Sequence, residues 1–138
     1  NRWWQALITK GDTSWRLHRS GDARSLEFAC SGLQSPDGAS ASAQGSRIVD
    51  DSRWHHIVAT YDGNRIALYV DGDLDASRPA WGRIRTNDSP VVIGDNAEQP
   101  ERCWNGWIDD VRIYSYALSE DEIAELFKAG QQSVTSSR

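Results

Sequence analysis

"DDSRWHHIVATYDGNRIALYVDG", residues 50–72, decides how this chain folds. Two strand-like runs, residues 54–61 and Arg65–Val70, flank Asp62-Gly63, and Asp71-Gly72 follows the second. Such pairs supply the positive φ that tight hairpins demand. Successive side chains of a strand face opposite ways, so Ile66, Leu68 and Val70 share one side. The same punctuation recurs outward from this hairpin. Residues 4–9, Trp15–Arg19, 25–30, 90–94 and 107–114 are short apolar or alternating stretches set between Gly, Asp, Asn and Ser clusters. Seven short strands and one late helix predict an all-β chain, a two-sheet antiparallel β-sandwich.

Parity assigns faces within that sandwich. Leu26, Phe28 and Cys30 share an inward side, leaving Ser25 and Glu27 outward. Trp15 and Leu17 read as inward, Arg16 and His18 as outward. Residues 31–45, rich in Ser, Ala and Gly, read as a surface loop, and Asp71, Asp73 and Asp75 as a turn region. The helix is the clearest local signal. Ser119 and Glu122 form a capping box, Ile123, Leu126 and Phe127 an apolar stripe, and Gly130 suits the residue just past the end. A short C-terminal helix on the sandwich is expected, followed by a polar tail over residues 131–138.

Composition narrows the function classes. A chain of 138 residues suits one domain. Lacking Met and opening at Asn1, it reads as a piece of something longer. The net charge of −5 argues against a nucleic-acid partner, which needs a dense basic face. No apolar run approaches the roughly 20 residues that span a bilayer, so membrane insertion is not expected. Cys30 and Cys103 allow one disulfide or two buried thiols.

Four segments in order carry a family resemblance: "ALITKGDTSWRL" (residues 6–17), residues 50–72, "VVIGDN" (residues 91–96) and "WNGWIDDVRIYSYALSEDEI" (residues 104–123). Together they resemble the laminin-G-like jelly roll of the concanavalin A-like superfamily, over nearly the whole chain. The resemblance implies a jelly-roll sandwich across residues 1–130 with one concave sheet. It also implies a recognition module in an extracellular or cell-envelope protein. Family domains carry a further strand or two before the "LITKGD" hairpin. The strand at residues 107–114, which in the family lies beside the N-terminal one, is therefore expected to have an exposed edge. Such an edge invites a homodimer or a retained upstream peptide, with rearrangement of residues 1–6 into the gap as the alternative.

Trp107, Asp109, Val111 and Ile113 share parity, so apolar partners facing the core would carry Asp109 inward. A buried carboxylate is costly unless paired or metal-bound. The resemblance implies a structural Ca2+ there, Asp109 acting with groups near Gly11 and Asp12; capping of backbone N–H groups is the alternative. His55 and His56 are adjacent on a strand and face opposite ways, which disfavours shared chelation, and Trp54 beside them reads as core. The carboxylate triplet that glucanases of this superfamily carry on one strand is missing, so catalysis is not expected. The expected function is non-catalytic binding of a glycan or protein ligand, with a purely structural assembly domain as the alternative. Candidate ligand-binding residues are Arg16, His18, Glu27, Arg112 and Tyr114, with Trp81 and Trp104 in loops. Asn87-Asp88-Ser89 formally matches a glycosylation acceptor, but Pro90 follows it.

Overall fold

The computed structural model describes residues 3–136, as two antiparallel sheets and one helix. Strands β1 (Gln5–Thr9), β2 (Trp15–Arg19), β3 (Leu26–Cys30) and β4 (Ala41–Gln44) join β8 (Val92–Ile93) in a five-stranded sheet ordered β4-β3-β2-β1-β8. Strands β5 (Ile57–Tyr61), β6 (Arg65–Val70) and β7 (Asp73–Pro79) form a three-stranded sheet with β6 in the middle. Helix α1 covers Glu120–Ser136. The sandwich expected from the turn pattern is the fold observed.

Two apolar layers hold it together. Leu17, Leu26, Phe28, Cys30, Ala41 and Ala43 of the larger sheet meet Ile66 and Leu68 of the smaller one. The opposite parity of β6, Ala67 and Tyr69, packs against Leu118, Ile123 and Leu126 around the helix. Strand β6 is therefore covered on both faces, as its unbroken apolar sequence requires. The helix begins as its cap predicts: the Glu122 amide donates to Ser119 Oγ at 3.2 Å, and three acids occupy the first turn.

Five expectations need correction. Residues 31–45 hold β4, whose alternating Ala41 and Ala43 are buried. Asp73 and Asp75 lie on strand β7 rather than in a turn, where the Asp75 carboxylate accepts from the Ser46 and Arg47 amides. The helix passes through Gly130 to Ser136, so residues 131–136 of the expected tail are helical; Ser137 and Arg138 lie outside the described residues, as do Asn1 and Arg2. Residues 107–114 form no strand. Asp110 adopts φ 51°, its amide tied to the Asp109 carboxylate at 2.8 Å, and this breaks the extended run. The neighbour of β1 is instead β8, and the Ala6 amide donates to Arg102 O at 2.8 Å. Finally, both cysteines are free, because Cys30 is buried in the core and Cys103 is exposed. Burial pushes the Cys30 thiol up to about 12, leaving it protonated.

Candidate functional site

The outer face of the five-stranded sheet carries Arg16, His18 and Glu27, as parity requires, but they are not three exposed ligand groups. His18 is only 1% exposed. The Trp4 ring covers it at 5.1 Å, and the Arg102 guanidinium lies 5.2 Å from the Trp4 centroid. Beneath this stack His18 Nε2 meets Glu27 Oε2 at 3.2 Å. That bond, helped by Ser42 and Ser20 and opposed by burial, holds the Glu27 carboxyl down at about 2. His18 and Glu27 are thus a structural pair under an aromatic lid, and the expectation that His18 meets ligand is corrected.

The residues expected to hold calcium do not fit it. Asp109 is exposed and uses its carboxylate on the Asp110 amide, which is the capping alternative. The Asp12 carboxylate accepts from Asn96 Nδ2 at 2.7 Å and from Arg102 at 3.0 and 3.2 Å. A guanidinium already supplies the positive charge there, its Nη1 donating to both carboxylate oxygens, and such charge-assisted hydrogen bonds are stronger than neutral ones. Among the described residues no group of three or more His, Cys, Asp or Glu stands together as an ion site. A chelator is expected to leave the thermal midpoint unchanged, while Arg102→Gln lowers it by about 3 °C or more. A midpoint that rises with added calcium in the wild type would overturn this.

Three tryptophans converge elsewhere. Trp54, Trp104 and Trp107 line a cleft of about 460 Å³ together with Gln5, Arg19, Asp50, Ser52 and Arg53. Trp107 is 87% exposed and Trp54 67%, although sequence parity and strand context put both in the core. Trp104 was expected as a loop ligand residue. It packs partly against the core, and its Nε1 is buried with no acceptor among the described residues. Glycine suits the next turn of chain, since a Cβ on Gly106 would stand 2.9 Å from that nitrogen. An indole N–H left without a partner costs about 1–3 kcal/mol.

Charged side chains set the cleft's other wall. Arg19 donates to Ala23 O at 3.0 Å and lies 3.9 Å from Asp50, which also accepts from Arg24 at 2.7 Å. The loop bearing Trp54 is pinned by His55, whose Nε2 meets Asp51 at 2.9 Å and whose Nδ1 meets Asp71 at 2.8 Å. Burial opposes protonation of His55, but its bonds to Asp71 and Asp51 outweigh this and raise its pKa. His56 turns the other way, toward Phe127 at 6.1 Å, so the two histidines do not converge.

The remaining candidates are scattered. Trp81 is 43% exposed, and its Nε1 donates to Gln34 Oε1 at 3.0 Å. Arg112 pairs with Asp110 at 2.9 Å, and Tyr114 stacks edge-on with Tyr116 at 5.9 Å, both on the exposed segment after the cleft. Asn87 Nδ2, the atom a glycan would occupy, donates to Lys10 O at 2.9 Å and to Thr13 Oγ1 at 2.8 Å.

Comparison with known proteins agrees with the sandwich. A laminin G family model, described as the concanavalin A-like lectin/glucanases superfamily, matches residues 1–124. The chain belongs to this superfamily. Its laminin-G-like sequence is 32% identical over 89 residues, 62% of the chain, to adhesion G-protein coupled receptor V1 of Danio rerio. It is 32% identical over 83 residues, 55% of the chain, to adhesion G-protein coupled receptor D1 of Homo sapiens. The matches span only 1% and 9% of those receptors. Among solved structures, the binding domain of Paraclostridial Mosquitocidal Protein 1 superposes with a TM-score of 0.63 at 21% identity, covering 94% of this chain and 32% of that one. An S-layer domain-containing protein from Clostridium thermocellum gives 0.53 at 22% identity, covering 92% and 64%. The structural likeness shows the shared fold.

Proposed function

We propose that this domain is a recognition module that binds carbohydrate in the cleft of Trp54, Trp104 and Trp107, as part of an extracellular or envelope protein. The carrying observation is the convergence of three indoles on one concave surface beside Arg19, Arg53, Asp50 and Gln5. Exposed apolar side chains that gather in one place mark interaction sites, whereas scattered single ones do not. Sugar rings present apolar C–H faces to such indoles, while charged and amide side chains fix their hydroxyls. The adhesion-receptor relatives support a location outside the cell.

A glycan-array screen followed by calorimetry tests the proposal. Trp54→Ala and Trp107→Ala are each expected to weaken the best ligand about 10-fold or more, the loss typical of a central aromatic anchor. Trp81→Ala should leave affinity unchanged, since its indole is held by Gln34. Affinity indifferent to both cleft variants would place the ligand elsewhere. An empty array would favour an assembly role instead, through Val111, Ile113 and Tyr116, which are exposed in the segment after Trp107. In that case light scattering should show a dimer that Ile113→Lys dissociates.

A further inference from the structure

A second cleft, of about 450 Å³, opens where β3 and β4 leave the five-stranded sheet, well separated in sequence from the tryptophan residues. Its lining includes Arg16 on β2, Ser31, Gly32 and Leu33 after β3, Ser40 before β4, and Arg85. Arg16 reaches the Asp12 backbone oxygen at 2.8 Å but the Asp12 carboxylate only at 4.0 Å. The Arg85 guanidinium has no hydrogen-bond or ion-pair partner among the described residues. The carboxylates of the flanking loops are committed elsewhere: Asp12 to Arg102 and Asn96, Asp37 to Arg78. The Cys30 thiol in the wall is neutral.

The position of Arg85 is built into the backbone. Its amide donates to Ser31 O at 2.8 Å, which ties residues 83–85 against the loop after β3. Gly32 permits that approach, having φ 90° and space for no Cβ, which would stand 2.9 Å from Arg83 O and from the Arg85 nitrogen. Two arginines thus line one cleft whose lining holds no Asp or Glu, in a chain whose net charge is −5. A cleft lined by one sign of charge concentrates ligands of the other sign. The planar fork of arginine matches the paired oxygens of a carboxylate or a sulfate.

We propose that the Arg16–Arg85 cleft binds a single oxyanion, the carboxylate of an acidic sugar or a sulfate group. The site is independent of the tryptophan cleft. Amide NMR titration of the whole domain with sodium glucuronate, inorganic sulfate and glucose, at fixed ionic strength, tests it. Saturable shifts at Ser31, Gly32, Leu33 and Ser40 are expected with the anions and not with glucose. Response to glucuronate alone identifies a carboxylate site, and to both anions a general oxyanion site. Arg85→Gln is expected to weaken binding about 10-fold, the loss of one charge-assisted contact, with Arg85→Lys intermediate. Trp54→Ala should change nothing here, so this cleft and the tryptophan cleft stand or fall separately. Shifts equal to those from glucose, no shift at these amides, or affinity unchanged in both Arg85→Gln and Arg16→Gln would overturn the proposal.

Discussion

Replacing Leu68 by alanine is expected to destabilise the domain by about 3 kcal/mol, within the range for large-to-small changes in a packed core. Leu68 sits mid-way along the central strand of the smaller sheet with 0% of its surface exposed. Its side chain belongs to the layer shared with Leu17, Leu26 and Phe28. The other face of the same strand is pressed against Ile123 and Leu118, so β6 has little freedom to collapse into a void. The deleted methyl groups therefore leave both a lost transfer energy and a residual cavity. Leu74→Ala on the neighbouring strand is the control: that side chain is 45% exposed, and its loss should cost under about 0.5 kcal/mol. Urea denaturation at unchanged m-value reads both. Equal effects at the two positions would mean that the two sheets do not share one core.

That core was legible because its signals are local. Trp15–Arg19 and Arg65–Val70 match the observed strands residue for residue, since Gly, Asp and Ser turn residues bound them on both sides. The strands missed lack those signals. In Ala41–Gln44 the buried residues are only alanines, so small side chains hide the period. In Asp73–Pro79 charged residues obscure any buried face, and pairing with β6 overrides weak propensity. The error at residues 107–114 ran the other way. Alternation suggested a buried face, but alternation buries nothing unless a neighbouring strand accepts the backbone, and Asp110 turns it aside.

The candidate site was less legible for a related reason. A tryptophan in an apolar stretch is normally core, and whether it is covered depends on distant chain. Trp104 meets residues near positions 5, 19 and 50 in one cleft, a convergence no local pattern encodes. His18 shows the converse. Its outward parity was right, but Trp4 and Arg102, from opposite ends of the chain, bury it. Pairwise cross-strand facts such as His18 opposite Glu27 follow from register once β2 and β3 are placed. The layer above them does not.

That buried pair should dominate the acid limb of the stability curve. Glu27 lies opposite His18 with its side chain 16% exposed, and the histidine hydrogen bond, against the opposing effect of burial, brings its pKa from 4.5 to about 2. A carboxyl whose folded pKa is depressed favours folding above its unfolded value. That contribution is therefore fully present above about pH 4.5 and is lost as pH falls through about 2. Allowing for partial exposure and coupling within the pair, it amounts to about 2 kcal/mol. Glu27→Gln keeps the shape but not the charge, and should lower stability by about that much at pH 6. Wild type and variant should converge as pH approaches 2, because the wild-type carboxyl is then protonating too. Asp37, Asp51, Asp62 and Glu98 also titrate low, but they are present in both proteins and cancel in the comparison. Urea unfolding of both proteins in steps from pH 6 to pH 2 measures the gap directly. A gap that stays constant across that range would show that Glu27 acts through packing alone, with no electrostatic share from His18.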